Sequence, residues 1–270
     1  MPASIAASKV AASPVGALLR EWRSARRMSQ LDLALTSGVS SRHLSCVETG
    51  RASASRDVLG QLAEALEMPL RERNALLLAA GYAPRYREAS LDAPELALIQ
   101  KAIEVTLAQQ EPFPAFVIDR YWNVLQTNGA LMAVLGGLRP GGPKHGNIVR
   151  QVFDPDDMRP YLDNWDEVAG DLLRHLHRAT LHAPHDRRLR ELLDEALSYG
   201  PPPADYAPQH AAAAFPVITT TFRAGDLRLR FFSTLTRFGT ASEVAVEEVC
   251  IECMHPVDEA TRAYCERQAR

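Results

Sequence analysis

The spacing of apolar residues divides the chain into a helical first part and a mixed second part. Between residues 15 and 82, apolar residues recur every three or four positions in short segments that Ser, Pro or Gly residues bound. This pattern predicts five short helices, within 15–27, 30–37, 41–48, 57–68 and 71–81. We therefore expect an all-α domain at the start of the chain.

The pattern changes after residue 95, where helical and alternating segments follow one another. Residues 116–118 and 122–125 flank Asp119-Arg120 and predict a β-hairpin. Alternating or β-branched runs predict three more strands, within 215–224, 225–238 and 243–255. Helical periodicity is found within 96–110, 128–137, 164–181, 186–199 and 258–270. This order predicts an α+β domain, an antiparallel sheet with flanking helices.

The 270-residue length favours two domains. We expect a flexible tail over residues 1–13, a helical domain over 14–82, a polar linker over 83–94 and an α+β domain over 95–270. The tail is rich in Ala and Ser and lacks the apolar core of a signal peptide, and no run long enough to span a membrane follows. The expected location is therefore the cytoplasm, with no membrane contact.

Charge is unevenly distributed along the chain. The formal net charge is −3, but residues 1–88 hold 12 Lys or Arg against 8 Asp or Glu, and the remainder is net −7. A basic domain joined to an acidic one suggests that the first domain binds a polyanion.

Two of the predicted helices, 30–37 and 41–48, are joined by a short turn that contains Gly38. Helices connected in this way within a small all-α domain are typical of a helix-turn-helix unit. The apolar positions Leu33, Val39, Leu44 and Val47 are expected to hold the two helices together. That arrangement turns the other side of the second helix outward, towards a DNA major groove.

The segment SQLDLALTSGVSSRHLSCVETGR, residues 29–51, resembles the XRE (Cro and phage-repressor) helix-turn-helix family over the whole unit. The resemblance implies double-stranded DNA as a partner and base contacts from the start of the second helix. The expected DNA-binding residues are Gln30, Ser40, Ser41, Arg42, His43, Ser45, Cys46 and Arg51.

Arg42 is expected to be the principal base reader, because a guanidinium can bond guanine O6 and N7 together. Gln30 stands at a helix N-terminus, where a phosphate is favoured. Arg51 is a candidate for electrostatic contacts, with one or more of the helix 1 residues Arg23, Arg26 and Arg27. Glu48 is acidic, so a role in closing the helix is favoured over DNA contact.

The second part of the chain resembles the MmyB-like regulator family. The resemblance is carried by PFPAFVIDRYWNVLQTNGA, NWDEVAGDLLRHL and FFSTLTRFGTASEVAVEEVCIECMHPVDEAT. It implies a PAS-like domain that binds a small apolar, fatty-acid-like ligand. Together the two resemblances predict a one-component transcription regulator that acts as a homodimer on a pseudo-palindromic operator. The alternative is a regulator whose second domain is a protein-interaction or dimerisation module without a metabolite ligand.

Candidate ligand contacts are apolar and aromatic residues of the second domain, although for any one of them a place in the ordinary core is favoured. They are Phe116, Ile118, Trp122, Leu131, Phe153, Trp165, Leu172 and Phe232. Arg150, Asn164 and Arg237 are polar groups next to apolar segments, and one of them could hold a carboxylate. For each of them a surface or helix-capping role is the favoured interpretation.

Other chemistry finds little support. Cys250 and Cys253 form a Cys-x-x-Cys pair, but in a strand they would lie on opposite faces. Asp154, Asp156 and Asp157 lack the spacing of a calcium loop, so roles in turns and caps are favoured for them. The nucleophile-elbow, Walker and dinucleotide motifs do not occur. We therefore expect no enzyme activity, no metal site and no cofactor.

Overall fold

The computed structural model describes residues 13–203, 206, 219–239 and 242–269. These residues form two compact units. One unit contains residues 13–88 with 242–244, and the other contains 89–239 with 245–269. The expected tail, apart from residue 13, and the start of the strand expected at 215–224 lie outside the described residues.

The first unit is helical, as the spacing of apolar residues predicted. Its helices are α1 (Pro14–Ala25), α2 (Gln30–Ser37), α3 (Ser41–Glu48), α4 (Arg56–Ala65) and α5 (Leu70–Ala79). All five predicted segments are therefore confirmed as helices.

The core of this unit is a cluster of buried apolar residues that all five helices or their connections supply. Leu19 and Trp22 from α1 meet Leu33 from α2 and Leu44 from α3, and each is at most 1% exposed. Leu33, Val39, Leu44 and Val47 all belong to it, which confirms their predicted role. Burial of this extent is the main source of stability for such short helices.

The second unit combines a sheet with helices. Its helices are α6 (Ala97–Gln110), α7 (Gly129–Leu138), α8 (Ile148–Phe153), α9 (Trp165–His182), α10 (Arg187–Ser198), α11 (Val244–Glu248) and α12 (Glu259–Gln268). Its strands are β1 (Ala115–Ile118), β2 (Val124–Thr127), β3 (Thr219–Ala224), β4 (Leu227–Thr236) and β5 (Cys250–Pro256). Val244 itself is grouped with the first unit.

The described strands form one antiparallel sheet in the order β2-β1-β5-β4-β3. The predicted hairpin over 116–125 is confirmed as β1 and β2. The inner face carries Phe116, Phe231 and Met254, which pack with apolar residues of α7, α8, α9 and α10. The outer face carries Val117 and Ile251, which pack with apolar residues of α6. This is the expected α+β class, with helices on both faces.

One prediction of secondary structure needs correction, and one helix was not predicted. The strand expected over 243–255 begins only at Cys250, because residues 244–248 form α11. Both neighbours of β5 end here: Ile118 of β1 pairs with Cys250, and Thr236 of β4 pairs with Ile251. A longer strand would have no partner for its backbone groups, so the chain turns into a helix. The short helix α8 was not predicted.

None of the helices in the described ranges is both long enough and apolar enough to cross a lipid bilayer.

Candidate functional sites

Capping interactions and a left-handed glycine fix where the two helices of the helix-turn-helix unit begin and end. The Ser29 hydroxyl accepts from the Asp32 N–H and the Asp32 carboxylate accepts from the Ser29 N–H, which forms a capping box at the start of α2. Gly38 ends α2 with φ of 72°, a left-handed conformation that favours glycine. Ser40 then caps α3 by accepting from the His43 N–H.

Burial divides α3 into two sides. Leu44 and Val47 are buried against the core. On the other side, Ser41 and Arg42 are exposed, and His43, Ser45 and Cys46 are partly exposed. This matches the outward surface that the sequence predicted for this helix. A helix with a short polar start and an exposed guanidinium at its second residue has the geometry needed to enter a major groove.

A buried ion pair joins α1 to the end of α3. Glu48 is fully buried, and its carboxylate accepts from Arg23 Nε at 2.8 Å and Arg23 Nη2 at 3.1 Å. The Gln30 amide also donates to this carboxylate, at 2.6 Å. Glu48 therefore has a structural position, and the Gln30 side chain is engaged inside the protein. A phosphate contact by Gln30 is left to its backbone N–H at the start of α2.

The arginines of α1 are partly committed to the fold. Besides its bonds to Glu48, Arg23 donates to the Met28 carbonyl, and Arg26 donates to the Leu66 and Glu67 carbonyls. Arg51, by contrast, is exposed and has no acidic partner among the residues that the structure describes. Arg51 is therefore better placed than Arg23 or Arg26 for a phosphate contact.

Seven of the eight apolar ligand candidates meet in one place, the cluster on the inner face of the sheet. Phe116, Ile118, Leu131 and Phe153 are buried in it, and Trp122, Trp165 and Leu172 pack against it. Phe232 does not belong with them. It stacks on His255 on the outer face, with ring centroids 5.1 Å apart, because side chains alternate along β4. Its neighbour Phe231 takes the inner position.

Arg150 and Asn164, two of the proposed polar anchors, have partners within the protein. Arg150 forms a two-bond ion pair with Glu195 of α10, at 2.8 and 2.9 Å. Asn164 donates to the Thr219 carbonyl and accepts from the Thr221 N–H, so it ties the start of α9 to β3. Both side chains are engaged in connecting elements of the fold.

The structure confirms two local expectations about polar residues. Cys250 belongs to the inner cluster and Cys253 to the outer one, so the two thiols lie on opposite faces of the sheet. Asp154 accepts from Lys144 Nζ at 2.8 Å and His145 Nε2 at 2.7 Å, and these bonds hold its pKa well below the usual range. Asp157 accepts from the backbone of the same loop. These carboxylates thus act in turn and loop contacts.

One polar residue on the inner face was missed by the sequence reasoning. Glu252 lies on β5 at even spacing from Cys250 and Met254, both of which are buried in the inner cluster. Burial raises the pKa of its carboxyl, and a hydrogen bond with Ser233 offsets this increase only in part. The sequence did contain a signal for this residue, namely an acidic residue at an inward position of an otherwise apolar strand.

Comparisons with known proteins agree with this division of the molecule. A family model described as a helix-turn-helix domain matches residues 14–76. A model described as an MmyB-like transcription regulator ligand binding domain matches residues 99–267, more than half of the chain. No curated protein matches the chain.

A solved structure titled an RNA-binding Light-Oxygen-Voltage Receptor matches with 13% identity, over 95% of this chain and 63% of that chain. The chain thus spans less than two thirds of that structure's length, and a TM-score of 0.26 is too low to support an argument from it.

The two family matches agree with the structure of the two units. The first unit is a capped helix-turn-helix with an exposed side of α3, and the second is a sheet with an apolar inner cluster. The chain belongs to the MmyB-like transcription regulators, with a helix-turn-helix DNA-binding domain joined to an MmyB-like ligand-binding domain.

Proposed function

We propose that this regulator reads a specific operator with α3 and that its second domain binds a small apolar effector. The proposed DNA binding rests on the exposed side of α3. Arg42 stands there without an acidic partner in the described part of the chain, at the second residue of a helix whose opposite side is buried. We propose that Arg42 reads a base and Arg51 contacts a phosphate.

The protein acts as a homodimer on a pseudo-palindromic operator in this proposal. The eight-residue α3 presents few side chains to base edges. Two copies on half-sites about one helical turn apart would supply the missing affinity. Since the matched families describe a helix-turn-helix domain and the ligand-binding domain of a transcription regulator, we propose that the protein is not an enzyme and that it acts in the cytoplasm.

An apolar effector is supported by the composition of the inner cluster. Phe116, Leu131 and Phe153 lie together there, with partly accessible Trp122 and Trp165 at its margin. Small-molecule sites are lined mainly by such side chains. The effector would change DNA binding only if it binds more tightly to one arrangement of the dimer than to another.

A pair of variants tests the DNA assignment. Arg42→Ala should lose about 1–3 kcal/mol of discrimination at one base position in a binding-site selection. Arg51→Ala should weaken binding to all sequences alike and lower the slope of log affinity against log salt by about one. Unchanged base preference in the Arg42 variant, with intact folding, would refute its role as base reader.

A surface on α6 favours a second candidate for this domain, protein interaction. Leu98 is 86% exposed and Val105 is 40% exposed, and they lie seven positions apart, so they share one side of the helix. Native mass spectrometry of the purified protein distinguishes the candidates. A released apolar molecule supports the effector, whereas a ligand-free dimer that Leu98→Glu separates into monomers supports the interaction module.

A further inference from the structure

Glu252 occupies a position on the inner face that apolar residues otherwise surround. Its partners in the register are Phe116 on β1 and Leu235 on β4, and paired residues share a face of the sheet. Cys250 and Met254, the adjacent inner positions of β5, are 2% and 5% exposed. A carboxyl in such surroundings costs free energy unless a partner satisfies it.

The Glu252 residue is partly, not fully, enclosed by protein. Protein surrounds it closely enough to raise its pKa, yet part of the Glu252 surface is accessible. Beside it on the same face, Leu235 is 59% exposed. A molecule that reaches the apolar inner cluster from this side would pass Glu252.

Within the part of the chain that the structure describes, the charged groups near this carboxyl do not form an ion pair with Glu252. His175 of α9 is close enough to interact electrostatically with the carboxyl, but its Nδ1 lies 3.3 Å from Asp171. Arg174 also pairs with Asp171, at 3.3 Å. The hydrogen bond to Glu252 comes from Ser233, two positions from Leu235 on the same face.

We propose that Glu252 and Ser233 form the polar end of the effector site and that this end takes an uncharged oxygen-bearing head group, such as a hydroxyl or an amide, on an apolar molecule. This inference rests on the proposed function of the second domain. A neutral carboxyl can donate one hydrogen bond and accept another, which matches a hydroxyl or amide.

The two charged alternatives are less favourable at this position. An ionised fatty acid would bring a second carboxylate beside Glu252, and one of the two would have to take up a proton. An ammonium group would need Glu252 to ionise, and both charges would then lose part of their hydration beside the apolar cluster. The head group therefore distinguishes ligands that share the same apolar chain.

Three probes with one chain length test this inference on the full-length protein. The neutral fluorophore N-phenyl-1-naphthylamine is bound first, and dodecan-1-ol, dodecanoate and dodecylammonium then compete with it at neutral pH. We expect dodecan-1-ol to displace it at about tenfold lower concentration than either charged probe.

Two substitutions separate the contribution of the carboxyl from that of the fold. Glu252→Gln should keep the preference for dodecan-1-ol, because an amide is also a neutral donor and acceptor. Glu252→Leu should weaken dodecan-1-ol binding about tenfold. Circular dichroism of both variants checks folding. If the Leu variant does not fold, Ser233→Ala takes its place, with the same expected loss of dodecan-1-ol binding.

Each contrary result has a separate meaning. Tightest binding of dodecylammonium, lost in Glu252→Gln, would show an ionised carboxyl and overturn the inference. Equal binding of all three probes, unchanged in both variants, would remove Glu252 from the site and leave the apolar effector standing. Failure of the fluorophore and of every probe to bind would overturn both this inference and the effector part of the proposed function.

Discussion

Arg23 and Glu48 connect α1 to the end of α3 through two hydrogen bonds, with Nε 2.8 Å from Oε1 and Nη2 3.1 Å from Oε2. The pair is asymmetric. The Glu48 side chain has no exposed surface, whereas 17% of the Arg23 side chain is exposed. Removing Arg23 should therefore destabilise the domain more than removing Glu48, because the buried Glu48 charge cannot reach water once its partner is gone.

We predict that Arg23→Ala destabilises the first domain by about 3–5 kcal/mol, since it leaves the buried Glu48 carboxylate with Gln30 as its remaining side-chain donor. Glu48→Ala should cost less, about 1–3 kcal/mol, because Arg23 can turn to solvent. Urea unfolding measures both. Arg20→Ala, an exposed residue of the same helix, is the control and should stay within about 0.5 kcal/mol of the wild type. Equal losses for the first two variants would contradict the asymmetry.

Gly16 allows α1 to approach α3 closely, so the packing of these two helices should be sensitive to one added carbon at this position. A Cβ at this position would overlap the backbone carbonyl of Glu48. We predict that Gly16→Ala destabilises the domain by about 1–3 kcal/mol, although alanine is the better helix former.

Gly60 in α4 is the matched control, because a Cβ there meets no atom within 4 Å. Gly60→Ala should be neutral or stabilise the domain by up to about 1 kcal/mol. Thermal unfolding of the two variants in parallel gives the comparison. A Gly16 variant as stable as the Gly60 variant would show that α1 can shift away from α3 without cost.

The four cysteines should react with iodoacetamide at different rates. Cys46 is partly exposed on α3, whereas Cys250, Cys253 and Cys265 are buried. Burial raises the pKa of all three buried thiols, that of Cys265 to about 11, and the thiolate is the reactive form. We predict that Cys46 is modified first, as peptide mass spectrometry would show.

DNA should protect Cys46 if α3 lies in the major groove. An operator duplex found by binding-site selection is expected to slow Cys46 modification and to leave the buried thiols unchanged. Cys46→Ser controls for modification elsewhere. Modification of Cys46 at the same rate in the presence and absence of bound operator would place this side of α3 away from DNA.

Much of the fold follows from local patterns in the sequence. The first five helices could be predicted because each joins an apolar stripe to a capping or terminating residue, as with Ser29, Gly38 and Ser40. The hairpin of β1 and β2 was equally local. The start of β5 at Cys250 could not be predicted from local pattern, because Val244–Glu248 alternates like a strand. This segment is helical because the neighbouring strands end here.

The candidate sites show the same division. The sequence alone determined a helix-turn-helix with Leu44 and Val47 inward and Arg42 outward, because helical periodicity fixes which side of a short helix is buried. The tertiary structure decided the partners of polar side chains. It paired Arg23 with Glu48 and Arg150 with Glu195, residues 25 and 45 positions apart, and no local pattern records such contacts. It also assigned Phe232 to the outer face and Glu252 to the inner one. The face of each strand residue depends on register, and register is set by the neighbouring strands.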